Sequence, residues 1–271
     1  MLEGAQGVRY VPDVHSGVGV LTVAGSSGRV DSDRARLFAE HGALAESVRW
    51  FGGPGQSPGP WDVPLELFSA RVDELAVECD RVIVVGTSFG AEAALLTGVG
   101  SASVSTVVAF APSDVVWAGV AADGRMTSHW TAEGRPVPFV PFIEDWEPDQ
   151  DPPSYLDLYR RCREEQPDAV AAAAIAVERI SEVILVAGGH DLLWPSVQQA
   201  QCIRARRSAH GVDTTVLTDA EAGHRTFLPG EPVVRGGARM ARGGTEVADR
   251  RLGELAWSHL RPLLAGRNGQ R

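Results

Sequence analysis

The chain has 271 residues, 44% of them hydrophobic, and a mean hydropathy of -0.06, which fits one α/β domain large enough to bury a full core. Its formal net charge is -10, and that argues against nucleic acid as a partner, because phosphate binding draws on a surplus of basic side chains. All the basic residues are arginines, since the chain contains no lysine.

Met1 to Gly7 shows no basic patch followed by an apolar stretch, and no later run is long enough to cross a bilayer, so the expectation is a cytoplasmic protein without a membrane partner. Val18 to Ala24 reads as a buried strand, followed by the turn Gly25-Ser26-Ser27-Gly28 and a helix from about Ser32 to His41 with Asp31 or Ser32 as N-cap. Leu44 to Trp50 is the next strand. A turn-rich loop from Gly52 to Pro60 precedes a helix over Leu65 to Cys79, whose apolar residues recur at helical spacing. Arg81 to Val85 is a β-branched strand, and further strands are expected at Thr106 to Phe110, Val183 to Ala187 and Thr214 to Leu217. Helices are expected at Ser196 to His210 and Thr245 to Leu264, with a polar tail after Ala265. Strands alternating with helices predict a mostly parallel central sheet with helices on both faces.

One stretch breaks that rhythm. From 112 to 153 the chain is rich in proline and carries Trp117, Trp130, Phe139, Phe142 and Trp146 with few strand signals. In α/β architectures of this kind, a long insertion after a central strand is where a cap over a pocket is usually placed. The same aromatics read equally well as residues that pack the insertion onto the sheet. Either way the chain reads as a single domain with a lid-like or cap-like insertion at about 112–153.

Chemistry enters at Gly86-Thr87-Ser88-Phe89-Gly90. This Gly-x-Ser-x-Gly pentapeptide lies between the β-branched strand and the helix-forming Ala91 to Leu96, the context of a nucleophile elbow. A serine hydroxyl needs a histidine base, and the histidine needs a carboxylate to fix its tautomer. In this architecture the chain order is Ser, acid, His. Asp191 follows the strand Val183 to Ala187, and His224 follows Thr214 to Leu217, so both lie at strand ends where α/β sheets assemble sites. Among the seven histidines only His224 has both that order and that position. Asp114, after Thr106 to Phe110, is the competing acid. For the oxyanion, Phe89 N–H is one donor, and Ser26 or Ser27 in the Gly-Ser-Ser-Gly turn supplies the other. Cys79, Cys162 and Cys202 form no Cys-x-x-Cys pair and read as buried free thiols. No metal or cofactor is implied, since there is no His-x-His, His-Glu-x-x-His or Cys/His cluster.

Four segments together resemble the C-terminal catalytic domain of acyl-CoA thioesterases and bile acid-CoA:amino acid N-acyltransferases, α/β hydrolases akin to dienelactone hydrolase. They are Gly-Thr-Ser-Phe-Gly-Ala-Glu-Ala-Ala-Leu (86 to 95), Val-Glu-Arg-Ile (177 to 180), Gly-Gly-His-Asp-Leu-Leu-Trp-Pro-Ser (188 to 196) and Ala-Gly-His (222 to 224). The resemblance implies an α/β hydrolase fold with Ser88 as nucleophile, Asp191 as acid and His224 as base. His190 stands where the family often has a second aspartate. Ser88 matches the family's hydrolases, whereas its transferases often use cysteine. The expectation is therefore a thioesterase that cleaves a small-molecule acyl thioester, carried on coenzyme A or on an acyl carrier protein. The alternatives are an acyltransferase or cyclase that passes the acyl group to an amine or hydroxyl, a carboxylesterase on oxygen esters, and a non-catalytic binding module.

Overall fold

The computed structural model describes residues 6–233 and 237–265, so most of the opening Met1 to Gly7 segment and the polar tail after Ala265 lie outside the described residues. The sheet is built from β1 (Gly7–Tyr10), β2 (Val18–Val23), β3 (Leu44–Val48), β5 (Arg81–Thr87), β6 (Val104–Phe110), β11 (Glu182–Gly188) and β12 (Thr215–Asp219). Their order across it is β1-β3-β2-β5-β6-β11-β12, with β1 antiparallel to β3 and every other neighbour pair parallel.

Side chains alternate between the two faces of a strand, and here both faces are covered. In β5, Val82 and Val84 enter the core on one side, and Ile83 and Val85 the core on the other. In β11, Val183, Leu185 and Ala187 join the first core, and Ile184 and Val186 the second. Burying one such side chain contributes about 1.5–3 kcal/mol, which is why these central strands read as unbroken apolar runs. The first core is closed by α2 (Glu66–Glu78), α3 (Phe89–Gly100) and α6 (Ser196–Ala209). The second is closed by α1 (Ser32–Glu40) and α7 (Glu246–Leu264). At the start of α7 the Thr245 hydroxyl accepts the Ala248 N–H at 3.2 Å, satisfying one of the helix's unpaired first donors.

The structure adds elements that the sequence pattern missed. The edge strand β1 precedes the first strand expected. The region 112–153, read as poor in strands, holds β7 (Ala118–Val120) paired with β8 (Met126–Ser128). It also holds β9 (Trp130–Ala132), which pairs with β10 (Arg135–Pro136) and with β4 (Val63–Pro64). Strands of two or three residues are too short to show a period. Two unforeseen helices, α4 (Leu156–Glu165) and α5 (Pro167–Ala172), follow. Asp31 is the N-cap of α1, but its side chain makes no cap hydrogen bond.

Within the insertion Trp117 and Trp130 are fully buried. Trp117 packs with Val115, Val140, Tyr159, Cys162 and Trp194 in a third core under α4. Trp130 joins the main core, tilted against Trp50 at a centroid distance of 4.9 Å.

Candidate active site

The turn between β5 and α3 forces Ser88 to φ 59° and ψ -124°, a positive-φ conformation that costs on the order of 1–3 kcal/mol for a residue with a side chain. Two glycines make the turn sterically accessible. A Cβ on Gly86 would stand 2.0 Å from the Gly90 carbonyl oxygen, and one on Gly90 would stand 2.3 Å from that of Val23. The strand, the helix start and the end of β2 thus approach more closely than any larger residue permits.

His224 Nε2 lies 3.0 Å from Ser88 Oγ, and His224 Nδ1 lies 2.8 Å from Asp191 Oδ2. The histidine is 7% exposed and the aspartate 4%, so water competes little for either contact. Asp191 is held from three further directions: its Oδ1 accepts the N–H groups of Leu193 and Trp194 at 2.8 and 3.3 Å, and Ser196 Oγ donates to its Oδ2. The loop of His224 is fixed as well. Its N–H donates to the Arg242 carbonyl at 2.9 Å, and the preceding Gly223 N–H donates to Asp249 Oδ1 at 2.7 Å. Burial holds the Asp249 acid above its ordinary range. Arg34 braces the same loop, binding Glu231 at 2.6 and 2.9 Å and the Thr226 carbonyl at 3.1 Å.

The six other histidines face elsewhere. His15 meets Cys79; His41, His210 and His259 contact backbone carbonyls of their own helices; His190 accepts from Gly244 N–H; and His129 approaches Glu92. Asp114, the competing acid, is bound by both ends of the Arg163 guanidinium at 2.8 and 3.0 Å.

Phe89 is the first residue of α3, so its N–H has no acceptor within the helix and sits at the positive end of the helix dipole. Gly25 packs against the elbow, since a Cβ there would lie 3.1 Å from Ser88 Cβ. The exposed Ser26 and Ser27 come next, and both line the cleft that reaches Ser88 and His224. That cleft has a volume of about 390 Å³. No residue of 112–153 lines it. The insertion instead meets the elbow from behind, where the His129 ring lies 3.9 Å from the ring of Phe89.

Behind Phe89, Glu92 is fully buried on α3. It accepts from Trp130 Nε1 at 3.0 Å and stands 3.6 Å from His129 Nδ1. Burial raises its acid, opposed by His129 and Trp130. Neither this pair nor the Ser196, Asp249 and Arg34 braces was foreseen from sequence, though Ser196 closes the Asp-x-x-Trp-Pro-Ser element. Among the described residues no group of three or more His, Cys, Asp and Glu side chains could hold a metal ion, and no helix is long and apolar enough to cross a membrane. The three cysteines are free thiols, but only Cys162 is buried; Cys79 and Cys202 are partly exposed, because each lies at the margin of the core rather than within it, Cys79 at the end of α2 and Cys202 on α6.

A hydroxyl, an imidazole and a carboxylate linked in this order can pass a proton from oxygen to nitrogen while the carboxylate fixes the tautomer. Solved structures with the same fold include a monoacylglycerol lipase from Paleococcus ferrophilus, 14% identical over 96% of this chain and 98% of that one, with a TM-score of 0.53. A putative dienelactone hydrolase from Klebsiella pneumoniae is 12% identical over 97% and 99%, also at 0.53. A lipase/esterase from Lactobacillus plantarum is 12% identical over 97% and 93%, at 0.52. At such identities the likeness is one of fold. No curated protein matches by sequence. The family described as BAAT / Acyl-CoA thioester hydrolase C terminal matches residues 71–259, a span that runs from α2 through the elbow, Asp191 and His224 into α7. The chain is an α/β hydrolase and belongs to that BAAT / acyl-CoA thioester hydrolase C-terminal family.

Proposed function

We propose that the protein is a serine thioesterase. Ser88 Oγ attacks the acyl carbon of a thioester as its proton passes to His224 Nε2. Asp191 accepts from His224 Nδ1–H and stabilises the imidazolium. Phe89 N–H and a donor in the Ser26 turn hold the oxyanion. The thiol leaves with the proton from His224, and water, deprotonated by the same imidazole, releases the acid from the acyl-enzyme.

The observation that carries this reading is the pair of contacts at 3.0 and 2.8 Å joining Ser88, His224 and Asp191 at the end of the elbow strand. The family match supports the thioester over other acyl groups. A serine rather than a cysteine at the elbow favours water as the acceptor. The carrier thiol is coenzyme A or the phosphopantetheine arm of an acyl carrier protein.

The test is a panel of acyl-CoA thioesters and matched oxygen esters, following free thiol and product acid, with Ser88→Ala as control. Serine-dependent thiol release at a higher kcat/KM than for the matched esters is expected. A preference for the oxygen esters overturns the thioesterase reading in favour of a carboxylesterase. Thiol release only when an amine or hydroxyl acceptor is added identifies an acyltransferase instead.

A further inference from the structure

The cleft beside Ser88 gathers cations on the side of His224. Arg225 follows His224 directly, and the Arg242 carbonyl accepts the His224 N–H. Their side chains converge: a Cβ on Gly237 would stand 3.4 Å from Arg225 Nη2 and 3.5 Å from Arg242 Nη2. Arg29, just past the Ser26 turn, lines the same cleft. The three charges sense one another, for burial first, then Arg242 and Arg29, push the Arg225 guanidinium down to about 10.

The carboxylates that share the cleft, Asp31, Asp33 and Glu231, are divided between these cations and Arg34. Glu231 is bound by Arg34 at 2.6 and 2.9 Å. Asp31 comes no nearer than 3.7 Å to Arg29, and burial favours its neutral form. Asp249 attracts Arg225 through space while its Oδ1 accepts from Gly223, and Asp33 lies in the first turn of α1. Arg242 donates to the Ala238 and Met240 carbonyls at 2.7 and 3.3 Å, two of the five N–H groups a guanidinium carries. A chain of net charge -10 has carboxylates in surplus, yet four arginines line this one cleft, Arg34 bound to Glu231 and Arg29, Arg225 and Arg242 beside it. Clustered guanidinium groups repel one another, and an anion with oxygen acceptors offsets that repulsion through charge-assisted hydrogen bonds.

Place then narrows the anion. His224 returns its proton to the departing sulfur, so the thiol portion of the substrate passes His224, where Arg225 and Arg242 are attached. We propose that Arg29, Arg225 and Arg242 form a subsite for the phosphate of a phosphopantetheine arm, so that the enzyme selects acyl groups carried on a phosphorylated thiol. This rests on the thioesterase reading, and the phosphate comes from coenzyme A or from a carrier protein.

The experiment compares kcat/KM for one acyl group on coenzyme A, on 4'-phosphopantetheine and on N-acetylcysteamine, which lacks phosphate, in the wild type and in Arg29→Gln and Arg242→Gln. The ratio of the coenzyme A to the N-acetylcysteamine thioester is expected to fall about tenfold or more in each variant, the equivalent of one lost charged contact. In the wild type the ratio falls as salt is raised, a reading that needs no variant to fold. An unchanged ratio in both variants and in salt overturns the proposal. So does a preference for a succinyl over a butyryl thioester of N-acetylcysteamine that the variants abolish, because it assigns the cations to the acyl side. Equal turnover of the 4'-phosphopantetheine and coenzyme A thioesters, both above N-acetylcysteamine, supports it with one phosphate sufficing and a carrier protein as source. A coenzyme A thioester favoured over both supports it with coenzyme A as source. If no thioester turns over, the thioesterase reading has failed, and the subsite is read by whether free coenzyme A slows phosphonate labelling of Ser88. Protection that the variants abolish upholds the subsite, and absence of protection overturns it.

Discussion

The two flanks of Ser88 differ in kind. On one, Phe89, Trp194, Tyr159 and His129 are packed ring against ring at centroid distances of 3.9 to 5.5 Å, over the buried Glu92. On the other, the cleft is open and its wall is made of short turns carrying four arginines and the carboxylates Asp31, Asp33 and Glu231. The packed flank holds Phe89, whose N–H is the proposed oxyanion donor, against buried rings, which favours fixed dipoles. The open flank has room for substrate. Rigidity and access are thus divided between the two sides of one side chain.

Ser88→Ala removes the atom both flanks serve, and on the proposed mechanism it lowers kcat by about 10⁶-fold. Phosphonate labelling of the variant should vanish while its thermal unfolding stays within a few degrees of wild type. Asp191→Asn comes next, with a loss of about 10⁴-fold expected because the amide fixes the wrong imidazole tautomer. Single-turnover acylation rates check it. A loss under tenfold would mean another group orients His224. Trp194→Ala then separates the flanks. It opens a cavity between Phe89, Tyr159 and His224, and urea unfolding should show a loss of about 3–5 kcal/mol, with the preference for phosphorylated thiols retained. Arg242→Gln should do the reverse, shifting stability by only about 1 kcal/mol through its lost contacts to the Ala238 and Met240 carbonyls and changing that preference. Equal effects of the two variants on both measurements would dissolve the distinction between the flanks.

How much of this the sequence carries depends on how local each signal is. The elbow was legible because Gly86, Ser88 and Gly90 are dictated by one tight turn, and the central strands because burial on both faces leaves only apolar residues. Asp191 and His224 could be read as strand-end residues in the right order. The arginine cluster was not legible, because Arg29 lies between β2 and α1 while Arg225 and Arg242 lie far apart in the connection from β12 to α7, and no spacing connects them. Nor was the Glu92–His129 contact, which joins the elbow helix to an insertion whose strands are too short to show alternation. The cap-or-packing question at 112–153 had the same cause. Its tryptophans carry no mark of direction until β9 pairs with β4.

The smallest effect lies on the packed flank and concerns pH. Burial makes the Glu92 acid weaker in the folded protein than its ordinary value of 4.5. Between that value and its folded one, the folded state holds a proton that the unfolded chain has released, so stability falls as pH rises through this window. Glu92→Gln keeps an oxygen to accept from Trp130 Nε1 and removes the titration. Its urea unfolding free energy should therefore decline less between pH 5 and 8 than that of the wild type. Asp31 and Asp249, also raised by burial, remain in both proteins and cancel in the difference. If the two curves run parallel, Glu92 holds no extra proton in the folded state, and the flank opposite the arginines is not buttressed by a neutral acid.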